Sequence, residues 1–178
     1  QNGGSLKLAG GNLQGPVSLN GGSLGGSGTI AGDLNIGSGT LSPGASPGKL
    51  VVTGNLNLTA GSSTLIEIGG AGPGIGYDYV QVLGTAHLAG TLTVVAYNGY
   101  TFQPGDAFTF MNFANSSGGF ASTSLPAGLT YQSFASGLAV ALPLPTAITT
   151  ATTLPAVLVV SSLDRAGQLQ DSLDTPLE

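Results

Sequence analysis

The chain has no cysteine and no tryptophan, one histidine, one methionine, and 3 Lys+Arg against 8 Asp+Glu in 178 residues. Without cysteine there are no disulfides, thiolate metal sites or cysteine nucleophiles. That lack also suits a chain exported unfolded across a membrane. Charged residues make up 6% of the sequence, against about 25% in an ordinary soluble protein. A net charge of −5 leaves no basic patch to neutralise phosphates, so neither nucleic acid nor an anionic membrane surface is an expected partner. The longest apolar run near the end, "LPAVLVV" (154–160), falls far short of the roughly 20 residues that cross a bilayer. The chain opens on Gln1 with no basic-then-apolar leader, which suggests a processed protein or an excised piece. Leu177-Glu178 has the look of a cloning scar.

What the chain does have is glycine, 31 residues of it, with a 41% hydrophobic content sufficient for a core. Residues 1–60 repeat a theme: Gly-Gly-Ser-Leu recurs at 3–6 and 21–24. Short apolar alternations lie between the glycines at Leu6/Leu8, Val17/Leu19, Leu34/Ile36, Leu50/Val52 and Leu56/Leu58. Each predicts a strand of three to five residues with one buried face. Glycine and asparagine between them tolerate the positive φ that frequent corners need. Recurrence at about 18 to 20 residues predicts a solenoid of stacked parallel strands, with roughly seven coils and a rod of about 30 Å. An antiparallel β-sandwich is the alternative, supported by hairpin-type pairs at Asn98-Gly99 and Asn20-Gly21.

Residues 61–142 carry longer alternations, and every tyrosine and phenylalanine lies after residue 75. Aromatic residues cover apolar surface well where a stack ends, so this part is expected to hold the terminal coils and a capping region with antiparallel hairpins. Residues 143–178 are expected to be a Pro/Thr-rich linker and a short tail. Leu163, Ala166, Leu169 and Leu173 are at helical spacing there, weakened by Gly167.

Four segments carry a further resemblance: "GTLSPGASPGKLVVTGNLNLTAGSSTLIEIGG", "GYDYVQVLGTAHLAGTLTV", "PGDAFTFMNF" and "GGFASTSLPAGLTYQ". Together, over residues 39–142, they resemble the passenger module of autotransporter and filamentous-haemagglutinin-type bacterial surface adhesins. The resemblance implies an all-β, right-handed parallel β-helix, exported through the outer membrane and secreted or held at the cell surface. It implies a structural or adhesive rod that contacts glycan or a host or matrix surface, or that self-associates. A self-assembling fibre subunit and a carbohydrate-active β-helix enzyme are the alternatives. An ice-binding face would need regular Thr-x-Thr ranks, and Thr91/Thr93 is the only clear case of that spacing on an expected strand.

No stretch of the sequence carries a complete motif for chemistry. Gly44 and Gly48 are separated by three residues and not four, Leu50 follows Lys49, and a strand comes next, so "GASPGK" is not a phosphate loop. "GAGPGIG" (70–76) contains Pro73 and opens no helix, so it is expected to be a flexible loop and not a dinucleotide fingerprint. Asp33, Asp78 and Asp106 are scattered, unlike calcium-binding repeats. His87 and Thr85 are expected to face solvent, with Ala86, Leu88, Leu92 and Val94 inward. Asp78 is expected to fix a turn before Val80 through backbone amides. Glu67 is alone on its strand, and Lys7, Lys49 and Arg165 are far apart in sequence, which leaves a glycosidase or lyase without its groups. Asn57-Leu58-Thr59 and Asn115-Ser116-Ser117 match glycosylation acceptors, as short motifs do by chance in such a composition. No catalytic, cofactor or metal residue is assigned, and no enzyme activity or nucleotide is expected.

Stability is expected to rest on Leu34, Ile36, Leu56, Leu58, Val80, Val82, Leu92 and Val94. Leu58→Asp should collapse the stack, and an unchanged thermal melt would refute this.

Overall fold

A computed structural model describes residues 3–44 and 46–145, which belong to the compact unit Gln1–Pro145. The helical spacing expected at 163–173, most of the Pro/Thr linker and Arg165 lie outside the described residues. The described chain is all-β: β1 (Ser5–Gln14), β2 (Val17–Ala31), β3 (Leu34–Pro43), β4 (Lys49–Val52), β5 (Leu56–Ile68), β6 (Tyr79–Leu88), β7 (Thr91–Ala96), β8 (Ala107–Gly118), β9 (Ser122–Ser124), β10 (Thr130–Phe134) and β11 (Gly137–Ala141).

Several strands are much longer than the three to five residues expected; β2 alone has 15. Its glycines bend the backbone without releasing it from its partners. Residues 17–25 of β2 pair with β3, whereas residues 28–30 pair with β4. One strand therefore serves two ladders. The parallel pairings β2–β3, β3–β5, β5–β6, β6–β4 and β4–β2 close a ring of five strands.

The registers join into three columns that run through the core, with exposed Thr123 and Ser116 ending the first two. Leu6, Leu24, Leu41, Thr64, Leu92 and Thr123 form the first. Val17, Leu34, Leu56, Ala86 and Ser116 form the second. Leu13, Ile30, Val52, Val82 and Phe113 form the third. All eight residues expected to carry stability are buried in this core.

Successive passes are not evenly spaced in sequence. The partner of Ser5 lies 18 residues on at Ser23, and that of Ser23 lies 17 on at Thr40. After that the offsets grow to 23 (Thr40↔Ser63), 28 (Ser63↔Thr91) and 31 (Thr91↔Ser122). The expected period of 18 to 20 thus describes only the first passes. Later passes keep the register by extruding loops at 69–78 and 97–106. This ladder has six rungs among the described residues, not seven, and spans about 24 Å at the usual strand spacing.

The antiparallel sandwich does not match these registers. Asn98 (φ 50°) and Gly99 (φ 75°) make a tight turn closed by Tyr100 N–H to Tyr97 O at 3.1 Å, but β7 does not pair with β8. Asn20-Gly21 lies inside β2. Among the described residues, antiparallel pairing between strands is confined to β11 with β8 and β10 with β11, apart from isolated bridges at Gly26–Gly44 and Ile68–Tyr77. Tyr77, Tyr100 and Phe102 each pack edge-on against Phe108, at 5.3, 6.0 and 6.0 Å between ring centroids.

Thr64 departs from the chemistry of its column. It is fully buried between Leu41 and Leu92, and its Oγ1 finds no hydrogen-bond partner among the described residues. An unmade hydrogen bond in an apolar core costs about 1–3 kcal/mol. Thr64→Val, of nearly the same shape, should therefore stabilise the fold by about 1 kcal/mol. Chemical denaturation would show this as a higher midpoint with an unchanged slope, and a lower midpoint would disprove it.

Candidate functional site

Polar side chains meet most closely around Asp78. In "YDYVQV" the residues Asp78, Val80 and Val82 share one parity, and alternation turns all three inward. Asp78 is fully buried. Its Oδ1 accepts from Gly48 N–H at 2.9 Å and its Oδ2 from Glu67 N–H at 3.0 Å. Asp78 N–H returns to Glu67 O at 2.9 Å. The carboxylate therefore clamps the start of β4 to the end of β5, across 30 and 11 residues of chain. The carboxylate meets backbone amides as expected, but they are those of Gly48 and Glu67 and not of a turn before Val80. Glu67 is likewise not alone: its Oε2 accepts from Ser46 Oγ at 2.6 Å.

Burial pushes the Asp78 carboxyl up to about 7, even though the two backbone N–H donors favour its ionised form. The nearby charge of Glu67 pushes in the same direction as burial. Both amides are already committed, and the acid has no exposure to solvent. The group holds the fold together and is closed to a substrate.

The other acids act in a similar way. Asp33 Oδ1 accepts from Asn55 N–H at 2.7 Å, and Asn55 Oδ1 accepts in turn from Thr85 N–H at 2.9 Å. Asp106 Oδ2 accepts from Gln103 N–H at 2.8 Å and from Tyr100 Oη at 2.9 Å. Each carboxylate meets a backbone amide at a corner. Among the described residues, no three His, Asp or Glu side chains gather in a metal-binding group.

In the phosphate-loop look-alike, Gly44 exchanges backbone bonds with Gly26, and the Gly48 amide is held by Asp78. Lys49 Nζ lies 5.5 Å from the centroid of the Tyr79 ring. The 70–76 segment, expected to be flexible, is closed by backbone bonds from Gly69 N–H to Gly76 O and from Gly76 N–H to Gly72 O, both 2.8 Å. Ile75 stands 84% exposed at its tip. His87 is exposed as expected, and its Nδ1 lies 2.7 Å from Ser117 Oγ. Thr85 is half-buried.

Two outward columns are visible only once the registers are known. One runs Ser5, Ser23, Thr40, Ser63, Thr91, Ser122, with hydroxyl contacts of 3.1 Å (Ser23 to Ser5) and 3.0 Å (Thr91 with Ser122). The other runs Ser18, Asn35, Asn57, His87, Ser117, with Asn57 Nδ2 donating to Asn35 Oδ1 at 2.7 Å. Unequal loop lengths hide both columns in the linear sequence. Beside the first column lies an open cleft of about 220 Å³, where Gly25, Gly26 and Gly44 supply no side chains. Ser5, Ser23, Ser42 and Ser46 line it together with Lys7.

No protein-family model matches the chain, and no curated protein matches it.

The raised Asp78 value gives a signed test. Between about pH 4 and 7 the folded chain retains a proton that the unfolded chain, at the ordinary 3.8, has lost. Stability should be highest below about pH 4, fall as pH rises to about 7, then level off, with a slope of at most about 1.4 kcal/mol per pH unit. Asp78→Asn, which keeps one of the two acceptors, should melt lower but with a flatter profile over that window. A melting temperature that climbs from about pH 4.5 to 7.5 in the unaltered chain would contradict this.

Proposed function

We propose that the chain is a segment of a right-handed parallel β-helix, exported by a bacterium and displayed or secreted as an adhesive rod. The observation that carries this reading is the pair of outward Ser/Thr and Ser/Asn/His columns on a parallel ladder. Such columns repeat neutral donors and acceptors at about 4.8 Å along a stiff support. They suit a partner that is itself a repeating array of hydroxyls, namely a glycan or a glycan-bearing host or matrix surface. The cleft beside the first column offers a concave place for one sugar ring. The stack presents few charges, with 3 Lys+Arg in the whole chain, so hydrogen bonding rather than ion pairing would provide the contact. Nothing in this mechanism requires catalysis or a cofactor.

Beads coated with the chain should adhere to glycan-coated surfaces about equally at 50 mM and 500 mM salt, since screening barely affects neutral contacts. Thr40→Lys with Thr91→Lys should reduce adhesion severalfold at an unchanged melting temperature. Adhesion that survives this double change, or vanishes in salt, would overturn the reading. Protease treatment of intact source cells should remove the antibody-detectable segment if it is displayed.

A further inference from the structure

The glycines of the first pass, Gly10, Gly11 and Gly15, are arranged for a neighbour that the described residues do not provide. One corner column runs Gly15, Gly32, Gly54, Gly84, joined by Gly54 N–H to Gly32 O and Gly84 N–H to Gly54 O, both 3.1 Å. A methyl group on Gly32 would run into the backbone of Gly15. On Gly54 it would meet Gly32, and on Gly84 it would meet Gly54. In each case glycine is needed because the preceding pass lies against it. Gly26 and Gly28 repeat this relation, facing the backbone of Leu8 and Gly11. At Gly15, Gly10 and Gly11 the same test meets nothing within 4 Å. Among the described residues, the first pass keeps the glycines of close approach and lacks the backbone that would approach them.

The strand edge agrees. β1 pairs with β2 alone, so its other edge is unpaired over ten residues among the described ones. Gly4 O accepts from Ser23 N–H, so by the alternation of a parallel ladder the amides of Ser5, Lys7 and Ala9 point away from β2. The edge has no proline and one charge, Lys7, where guarded edges usually carry several devices against pairing. Leu6, Leu13 and Val17 are only partly buried, whereas their column mates Leu24, Ile30 and Leu34 are fully buried. At the other end, β11 covers β8 with an antiparallel strand.

We propose that the outward edge of β1 is a seat for one more parallel pass, an extended polypeptide segment with the Gly-Gly-Ser-Leu pattern that β2 presents to its other side. The register sets the chemistry of this partner. It needs a small hydroxyl residue over Ser5, an aliphatic residue over Leu6 and another over Leu13, and backbone lying on Gly10, Gly11 and Gly15. The inference rests on glycine geometry and strand pairing, and it stands whether or not the columns are adhesive.

The test is to extend the chain with a second copy of residues 3–20 placed before Gly3, and to follow amide exchange in β1. The Ser5, Lys7 and Ala9 amides should slow at least tenfold, and the melting temperature should rise. Gly11 is outside the left-handed region and faces open space, so Gly11→Ala should leave the unextended chain's melt unchanged. In the extended chain the same change should abolish the slowing. Unchanged exchange in the extended chain would overturn the proposal, as would equal slowing by a scrambled copy. Slowing in the unextended chain that grows with its concentration would also overturn it, because a second molecule would then hold the edge.

Discussion

Everything in this fold depends on how closely one pass of backbone can lie on the next at the corners. A parallel ladder needs strands about 4.8 Å apart. At a bend, a side chain pointing along the stacking direction would hold the passes apart. The corner column Gly15–Gly32–Gly54–Gly84 removes that obstacle, because each glycine leaves room for the backbone before it. Once the corners are in contact, the three columns of Leu, Ile and Val come into register, and burial of these columns provides the main driving force. The same feature leaves the glycines of the first pass, Gly10, Gly11 and Gly15, with no backbone against them among the described residues.

The acids solve a related problem. Where the chain turns, backbone amides lose ladder partners, and a buried amide without a partner is costly. Asp33, Asn55, Asp78 and Asp106 provide acceptors at those points. Asp78 does this in full burial, and the cost appears as its displaced titration. A sequence with so few charges has placed several of them where they act as structural acceptors, which leaves the outer columns to hydroxyls and amides. That division is the physical basis for reading the surface as a neutral hydrogen-bonding array.

The inward faces were legible in the sequence because alternation is local. Leu34/Ile36, Leu56/Leu58 and Ala86/Leu88 needed only a period of two, and burial follows it. His87 was placed outward by the same rule. Strand length was not legible, because glycine marks a corner in the sequence but in space it bends the strand without ending its pairing. The Asp78–Glu67 contact was hidden by distance along the chain, although the inward parity of Asp78 with Val80 and Val82 was a signal that an acid would be buried.

Composition and alternation by themselves determined an all-β chain with an aliphatic interior, a nearly uncharged exterior and glycine corners. Those properties depend on each residue and its immediate neighbours. Tertiary structure alone decided which residues stack: Ser5 with Ser23, Ser63 with Thr91, Asn35 with Asn57. Each pass can extrude a loop of any length before returning to register, so sequence separation carries no fixed relation to spatial neighbours. The outward columns, the Asp78 clamp and the unpaired edge of β1 all depend on that pairing.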